Sequence, residues 1–329
     1  MTLNRRAFHQ AMAAIAACVP WSAWADARPA RPSLKLLVGY PAGGSTDAVA
    51  RRMADGLRTS YAQTTLVDNR PGAGGRMALN ELRRAPTDGS VAVVQPEGLL
   101  TVLPHVEPLS RTMQVQDLEA VSPCAVLRMA LAVGPAVPPN VRSVADFVAW
   151  AARHPAQANY ATPGANTPNR FLIGQLARQA GVALNHVPYK GSAPGVIDLV
   201  GGQVAAMCSP LGDHLQYLRD GRVRILALAS AQRSPLAPEI PTFQEQGFAD
   251  MLADETCGMF MPKGTPTDVL QRAAQAVAEV VQHADVVQSF ARIGMEPASA
   301  APAEYAALIA QNQARWGQRI AASGFKPEL

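Results

Sequence analysis

One junction near the start of the chain limits the folds open to it. Leu34 to Tyr40 is a compact apolar run with one lysine, the pattern of a buried strand. Pro41-Ala42-Gly43-Gly44-Ser45-Thr46 breaks that run, and Val49, Met53, Leu57 and Tyr61 then recur every four residues on one helix face. A second short strand, Thr64 to Val67, ends in the glycine-rich turn Asp68 to Gly75 and leads to a helix from about Met77. Val91 to Val94 reads as a third strand. This β-loop-α order predicts a parallel sheet with its loops gathered at the strand carboxyl ends, where open α/β folds bind ligands.

A second set of elements begins near Leu131. Ala130 to Val133, Asn159 to Ala161, Leu184 to Tyr189, Val204 to Cys208 and Val223 to Ala229 are strand-like. A helix over 143–153 has Ser143 as N-cap with Asp146 at N3, and Phe171 to Ala180 is a helix stopped by Gly181. Ser230 to Gly247, rich in proline and glutamine, reads as a connector. Helices then dominate, over 266–283, 285–293 and 302–322.

The first residues address the chain. Asn4-Arg5-Arg6-Ala7-Phe8 opens a charged region, an alanine-rich apolar stretch follows, and Ala23-Trp24-Ala25 supplies an A-x-A cleavage site. The paired arginines suggest the Tat route. Residues 1–25 are therefore expected to be a Tat-like signal peptide cleaved after Ala25, giving a periplasmic protein. Ile15-Ala16-Ala17-Cys18 offers an alternative, a lipoprotein acylated at Cys18. The rest of the 329 residues is enough for two lobes of ordinary size, and 48% hydrophobic content is ample for their cores.

The leader takes two of the 29 basic residues and none of the 25 acidic ones, so the net charge falls from +4 to about +2. That leaves no electrostatic footprint for nucleic acid. Cys124, Cys208 and Cys257 have neither a disulfide framework nor a zinc spacing, and read as buried small hydrophobes. The six histidines have no metal-type spacing. No metal or cofactor is expected.

The candidate site is built from loops. A strand that ends in Pro41-Ala42-Gly43-Gly44-Ser45-Thr46-Asp47 and opens a helix exposes backbone N–H groups at the positive end of a helix dipole, a place for an anion. A tight turn capped by Ser45 or Thr46 is the competing reading. Gly39 and Gly44 have the spacing of a phosphate loop, but the lysine expected after Gly44 is absent, which excludes ATP hydrolysis. The loop over 162–168 repeats the logic, with Asn166 and Thr167 as uncharged donors for a carboxylate. Lys190 reads as a loop residue, and Tyr189 as packing between lobes.

The motifs in order resemble one family. Val38-Gly39-Tyr40-Pro41-Ala42-Gly43-Gly44-Ser45-Thr46-Asp47 with Ala50-Arg51 is similar to the opening of the tripartite tricarboxylate transporter receptors, the Bug family. Asn69 to Gly75, Gly164-x-x-Thr167, His186 to Gly191, Gly201 to Val204, Ser234-Pro235, Ile240-Pro241-Thr242 and Pro262-x-Gly264-Thr265-Pro266 continue the likeness over about residues 33–325.

The resemblance implies an α/β, two-lobed periplasmic-binding-protein fold, type II-like, with a ligand cleft between lobes and the chain crossing twice. The boundaries expected are 33–128 plus 236–329 for lobe 1 and 129–235 for lobe 2. It implies a small carboxylate held by Tyr40, Pro41, Ala42, Gly43, Gly44, Ser45, Thr46 and Asp47 on one side and by Gly164, Asn166 and Thr167 on the other. Two departures, Arg170 where relatives commonly carry histidine and Ser209 where many carry aspartate, make the second wall more positive and join the candidate set.

The function implied is a non-enzymatic, monomeric receptor that delivers a dicarboxylate, tricarboxylate, amino acid or aromatic acid to membrane permease subunits. A sensor docking on a membrane histidine kinase is the alternative. A periplasmic hydrolase using Ser45 or Ser209 with a histidine ranks below both, because no nucleophile–base motif accompanies them.

Overall fold

The structure is a computed structural model that describes residues 31–72, 75–107 and 115–325. The leader, its cleavage site and Cys18 lie outside the described residues, as do Ala73 and Gly74 of the second glycine turn.

Two sheets organise the fold. The first uses β1 (Arg31–Val38), β2 (Ala62–Asn69), β3 (Val91–Pro96), β4 (Leu118–Leu127), β10 (Glu255–Pro262) and β11 (Glu296–Pro297), in the order β11-β4-β10-β3-β1-β2. The second uses β5 (Met129–Val133), β6 (Asn159–Thr162), β7 (Asn185–Pro188), β8 (Ala206–Pro210) and β9 (Arg224–Leu228), in the order β7-β6-β8-β5-β9. The helices are α1 (Ser45–Ser60), α2 (Arg76–Leu82), α3 (Gly98–Thr101), α4 (Leu103–Val106), α5 (Val144–Arg153), α6 (Pro168–Ala180), α7 (Ser192–Val200), α8 (Gly212–Arg219), α9 (Thr267–Val280), α10 (Ala284–Arg292) and α11 (Pro302–Ala322).

β1 shows why the first junction folds as it does. Leu34, Leu36 and Val38 join one core cluster while Leu37, pointing to the opposite face, joins another. A strand covered on both faces belongs to the interior of a layered α/β sheet, and β1 lies between β3 and the edge strand β2. On α1, Val49, Met53 and Leu57 are fully buried against that sheet. Ser143 caps α5 in a reciprocal box with Asp146.

The sheets are mixed rather than parallel. β2 and β3 flank β1 in parallel, but β10 runs antiparallel between β3 and β4. The second sheet repeats the arrangement: β6 is parallel to β7 and β8, and β5 is antiparallel to β8 and β9. In each sheet the strand inserted antiparallel between two others, β10 or β5, is the one that arrives from the other lobe, while the short β11 adds a further antiparallel edge to the first sheet. The chain leaves the first sheet at Leu127, passes Arg128, and enters the second at Met129. It returns through the segment that ends at Asp254 and begins β10 at Glu255.

Arg128 ties these two crossings together. Its guanidinium pairs with Asp254 on the returning segment and with Glu296, the latter at 2.8 Å. Burial pushes the Asp254 carboxyl up to about 6, although Arg128 pulls the other way. The last helix, α11, buries Tyr305, Ile309, Trp316 and Ile320 and returns to the first sheet across β4. Cys124, Cys208 and Cys257 are free and buried.

Candidate ligand cleft

A cavity of about 830 Å³ lies between the two sheets, with Leu127 and Met129 of the first crossing in its lining. Its first wall is set by two glycine loops in backbone contact. A Cβ on Gly39 would meet the Gly75 Cα at 2.6 Å, so only glycine lets the loops touch. Asn69 at the end of β2 then donates to the Tyr40 carbonyl at 3.0 Å and to Asp47 Oδ1 at 2.9 Å.

Asp47 is the clamp of this loop. Its Oδ2 accepts from the Gly43 N–H at 2.8 Å and from Arg51 Nε at 2.9 Å. Burial raises its pKa, but the Arg51, Gly43 and Asn69 hydrogen bonds outweigh that and hold it below the ordinary carboxylate range. Asp47 is buried, and its oxygens are committed to the loop itself. Gly44 is the N-cap of α1, with no side-chain cap. The first helical bond runs from Ala48 N to Gly44 O, so the N–H groups of Ser45, Thr46 and Asp47 belong to the unpaired first turn. Neither Ser45 nor Thr46 caps the helix.

The second wall repeats this device twice. α6 starts at Thr167, whose hydroxyl donates to the Gly164 carbonyl at 3.2 Å instead of capping. α7 starts after Gly191, which has φ +97° and no side-chain cap. The two starts are laced together, because Tyr189 N donates to Thr162 O and Gly191 N to Pro163 O, both at 2.9 Å. Thr162 Oγ1 anchors the loop from within, at 2.7 Å from both Gly164 O and His186 Nε2. Three helix N-termini, those of α1, α6 and α7, therefore meet in one cavity.

Of the residues singled out from the sequence, Tyr40, Pro41, Gly44, Ser45, Thr46, Asn166 and Thr167 line the cavity. Gly43, Asp47 and Gly164 are outside the lining but take part in the bonds that shape its loops, and the exposed Ala42 is outside it as well. Two candidates are not brought in. The Arg170 guanidinium turns back to Ala165 O at 3.1 Å and Asn166 Oδ1 at 3.3 Å, and lies over the rings of Phe171 and Phe325. Ser209 is fully buried within the second lobe, bonded at 2.8 Å to His214 Nε2. Burial lowers the His214 pKa to about 4, and neither side chain meets solvent, so this serine–histidine pair has no access to a substrate. Tyr189 does not bridge the lobes either; its hydroxyl donates to Asp198 at 2.6 Å inside the second one.

Other lining residues escaped the sequence reading. Lys190, read from the sequence as a loop residue only, stands between the Tyr189 and Gly191 bonds and lines the cavity. Glu255 opens β10 and accepts from the Gly98 N–H at 3.0 Å; burial pushes its carboxyl up to about 7. Arg76 also lines the cavity, already paired with Glu107. Leu99, Leu103, Leu127 and Met129 supply an apolar floor.

Among the described residues no helix is long and apolar enough to cross a membrane, and no cluster of metal-ligating side chains is present. The sequence profile of the tripartite tricarboxylate transporter family receptors matches residues 49–325. Protein BugT of Bordetella pertussis is 32% identical over 303 residues, covering 92% of each chain. The periplasmic binding protein BugD superposes with a TM-score of 0.74 at 25% identity, over 91% of this chain and 100% of that one. A protein of R. palustris solved with adipate superposes with a TM-score of 0.79 at 27% identity, over 90% of this chain and 99% of that one. The chain belongs to the tripartite tricarboxylate transporter family of solute-binding receptors, with the two-lobed α/β fold of the periplasmic binding proteins.

Proposed function

We propose that this receptor captures a small carboxylate in the cavity between its lobes and presents it to the permease subunits of a membrane transporter. One observation carries the reading: the N-termini of α1, α6 and α7 enter the same cavity, and none of the three has a side-chain cap. The unpaired N–H groups of Ser45, Thr46 and Asp47 at α1 favour an anion there, and α6, which opens on Pro168 with its Arg170 N–H bonded to Thr167 O, adds with α7 chiefly the positive end of its dipole. The likeness to an adipate-bound relative supports a carboxylate as that anion.

In this reading Ser45 and Thr46 seat the carboxylate, Asn166 and Thr167 close on it, and Lys190 adds charge. Ligand contacts both walls only when the lobes approach, so binding shifts the population towards a closed form. The protein is exported as a monomer, with the leader removed after Ala25. Native mass spectrometry of protein purified from its own periplasm should release a carboxylic acid, and its readdition should raise the melting temperature by linkage. Scattering that shows no compaction at saturating acid would count against the two-wall capture.

A further inference from the structure

We infer that the acid this cleft is built for carries a single carboxylate on an apolar, ring-sized body, with a hydrogen-bond donor directed at Glu255. The inference rests on the carboxylate reading above and narrows it.

Three features of the cavity converge on this class. The first is its size and floor. A four-carbon acid would leave much of about 830 Å³ to water, whereas Leu99, Leu103, Leu127, Met129, Pro96 and Pro210 offer apolar surface from both lobes and the crossing between them. Covering that surface with an apolar body releases its hydration water, worth about 25 cal/mol per Å². A short polyacid has no group to place there.

The second feature is the count of charges. Arg76 is committed to Glu107. Arg170 is folded away against Ala165, Asn166 and two aromatic rings. Lys190 is the lining cation without an ion pair among the described residues. One cation and one cluster of helix starts suit one carboxylate.

The third is Glu255. Its Oε1 accepts from the Gly98 N–H, so its place in the lining is fixed from behind. A hydroxyl or amide donor on the ligand meets an acceptor oxygen there in either state of Glu255, whereas a second ligand carboxylate is accommodated only while Glu255 holds the proton that burial favours. The cavity is thus polarised, with donors from the helix starts and an acceptor on β10.

The test is calorimetric titration of the full exported chain with four probes at neutral pH: benzoate, 4-hydroxybenzoate, succinate and citrate. The aromatic mono-acids should bind about tenfold or more tighter than the two polyacids, with 4-hydroxybenzoate ahead of benzoate. Glu255→Gln keeps the acceptor for Gly98 and removes the charge, so it should narrow the gap by strengthening succinate severalfold. Leu103→Gln should weaken benzoate and leave succinate in place. Tighter binding of citrate or succinate than of either aromatic acid overturns the mono-acid class while upholding the carboxylate cleft. Heat from none of the four probes overturns both. A Glu255→Gln protein with an unchanged ranking overturns the role of Glu255.

Discussion

The two walls of the cleft are built from the same device and held by different means. On the first wall, one buried carboxylate does the holding: Asp47 draws in the Gly43 N–H, Asn69 and Arg51, and through Asn69 it fixes the Tyr40 carbonyl. On the second wall the acids act from within the lobe, Asp198 accepting from the Tyr189 hydroxyl and Asp213 bonded to the Ser192 side chain, and none of them gathers the loop as Asp47 does. Backbone bonds from Tyr189 and Gly191, together with the hydroxyls of Thr162 and Thr167, hold the loops. The first wall is gathered by one side chain and the second by a spread of backbone and hydroxyl bonds, with Lys190 in its lining. The difference teaches where an anion site can afford a negative charge: behind the loop, with every lone pair committed, where it shapes the donors without repelling the guest.

The largest effect should come from removing that clamp. Asp47→Ala removes the acceptor that gathers the Gly43 N–H, the Asn69 amide and Arg51, so the loop loses the group that fixes its shape. Asn69 keeps the Tyr40 carbonyl, and Arg51 and Gly43 are exposed to water. The expected outcome is a melting temperature lowered by several degrees together with loss of acid binding, read by calorimetry and thermal melts. If binding survives with only the stability loss, the two walls are equally pre-shaped. Gly44→Val is the cleaner probe of the seat. A Cβ there meets nothing closer than Pro41 O at 3.5 Å, and Gly44 lies at φ −79°, so the fold accepts a side chain. Binding should fall by about a hundredfold or more, roughly 2.7 kcal/mol, with little change in stability; wild-type affinity would show that the α1 start is only a helix end.

The β1–loop–α1 geometry of the first wall was legible in the sequence because local chemistry specifies it. Apolar β1, the Pro41–Thr46 break and the four-residue spacing of α1 are all contiguous, and they place Gly44, Ser45 and Thr46 without tertiary knowledge. What stayed hidden is long-range. β10 is antiparallel and central although its sequence follows a proline-rich connector, so neither the mixed sheet nor Glu255 in the lining was readable. Likewise β4, α7 and α8 went unread. Arg170 and Ser209 lay at positions a family pattern points to, but partners decide where a side chain turns. Phe325, more than a hundred residues away, helps hold Arg170 outside, and His214 holds Ser209 within.

A smaller, pH-dependent effect separates the lobes again. In the first, Glu97 is buried, accepting from Thr256 at 2.5 Å and Asn312 at 2.8 Å, and burial pushes its carboxyl up to about 7. Between its ordinary value of 4.5 and about 7, the folded state keeps a proton that the unfolded state has lost. Stability therefore falls as pH rises through that window. Glu255, pushed up to about 7, and Asp254, to about 6, slope the same way. In the second lobe, burial lowers His186 and His214 to about 4, so the unfolded state binds more protons up to 6.5 and stability there rises with pH. Glu97→Gln should gain stability relative to wild type on going from pH 5 to pH 8, by on the order of 1–3 kcal/mol. Denaturant melts at the two pH values measure it; an equal offset at both would mean that Glu97 is ionised in the folded state throughout.

The smallest expected effect on binding belongs to Arg170, and it tests whether the second wall hides a cation for use on closure. The guanidinium stands 5.6 Å from the Phe171 centroid and 5.2 Å from that of Phe325, and donates to Ala165 O and Asn166 Oδ1. Cation–π contacts at partly exposed sites contribute about 0.5–1 kcal/mol, and swinging the side chain into the cleft would forfeit both rings and both acceptors. A single ligand carboxylate must outweigh that sum before Arg170 takes any part in capture. Arg170→Ala should therefore lower the melting temperature slightly while leaving the affinities for succinate and benzoate each within about twofold, a change of roughly 0.4 kcal/mol. A selective loss for succinate, with benzoate unaffected, would mean that the arginine does cross over when the lobes close. The second wall would then be the one that chooses between mono-acids and di-acids, by bringing a cation from outside the lining into the cleft.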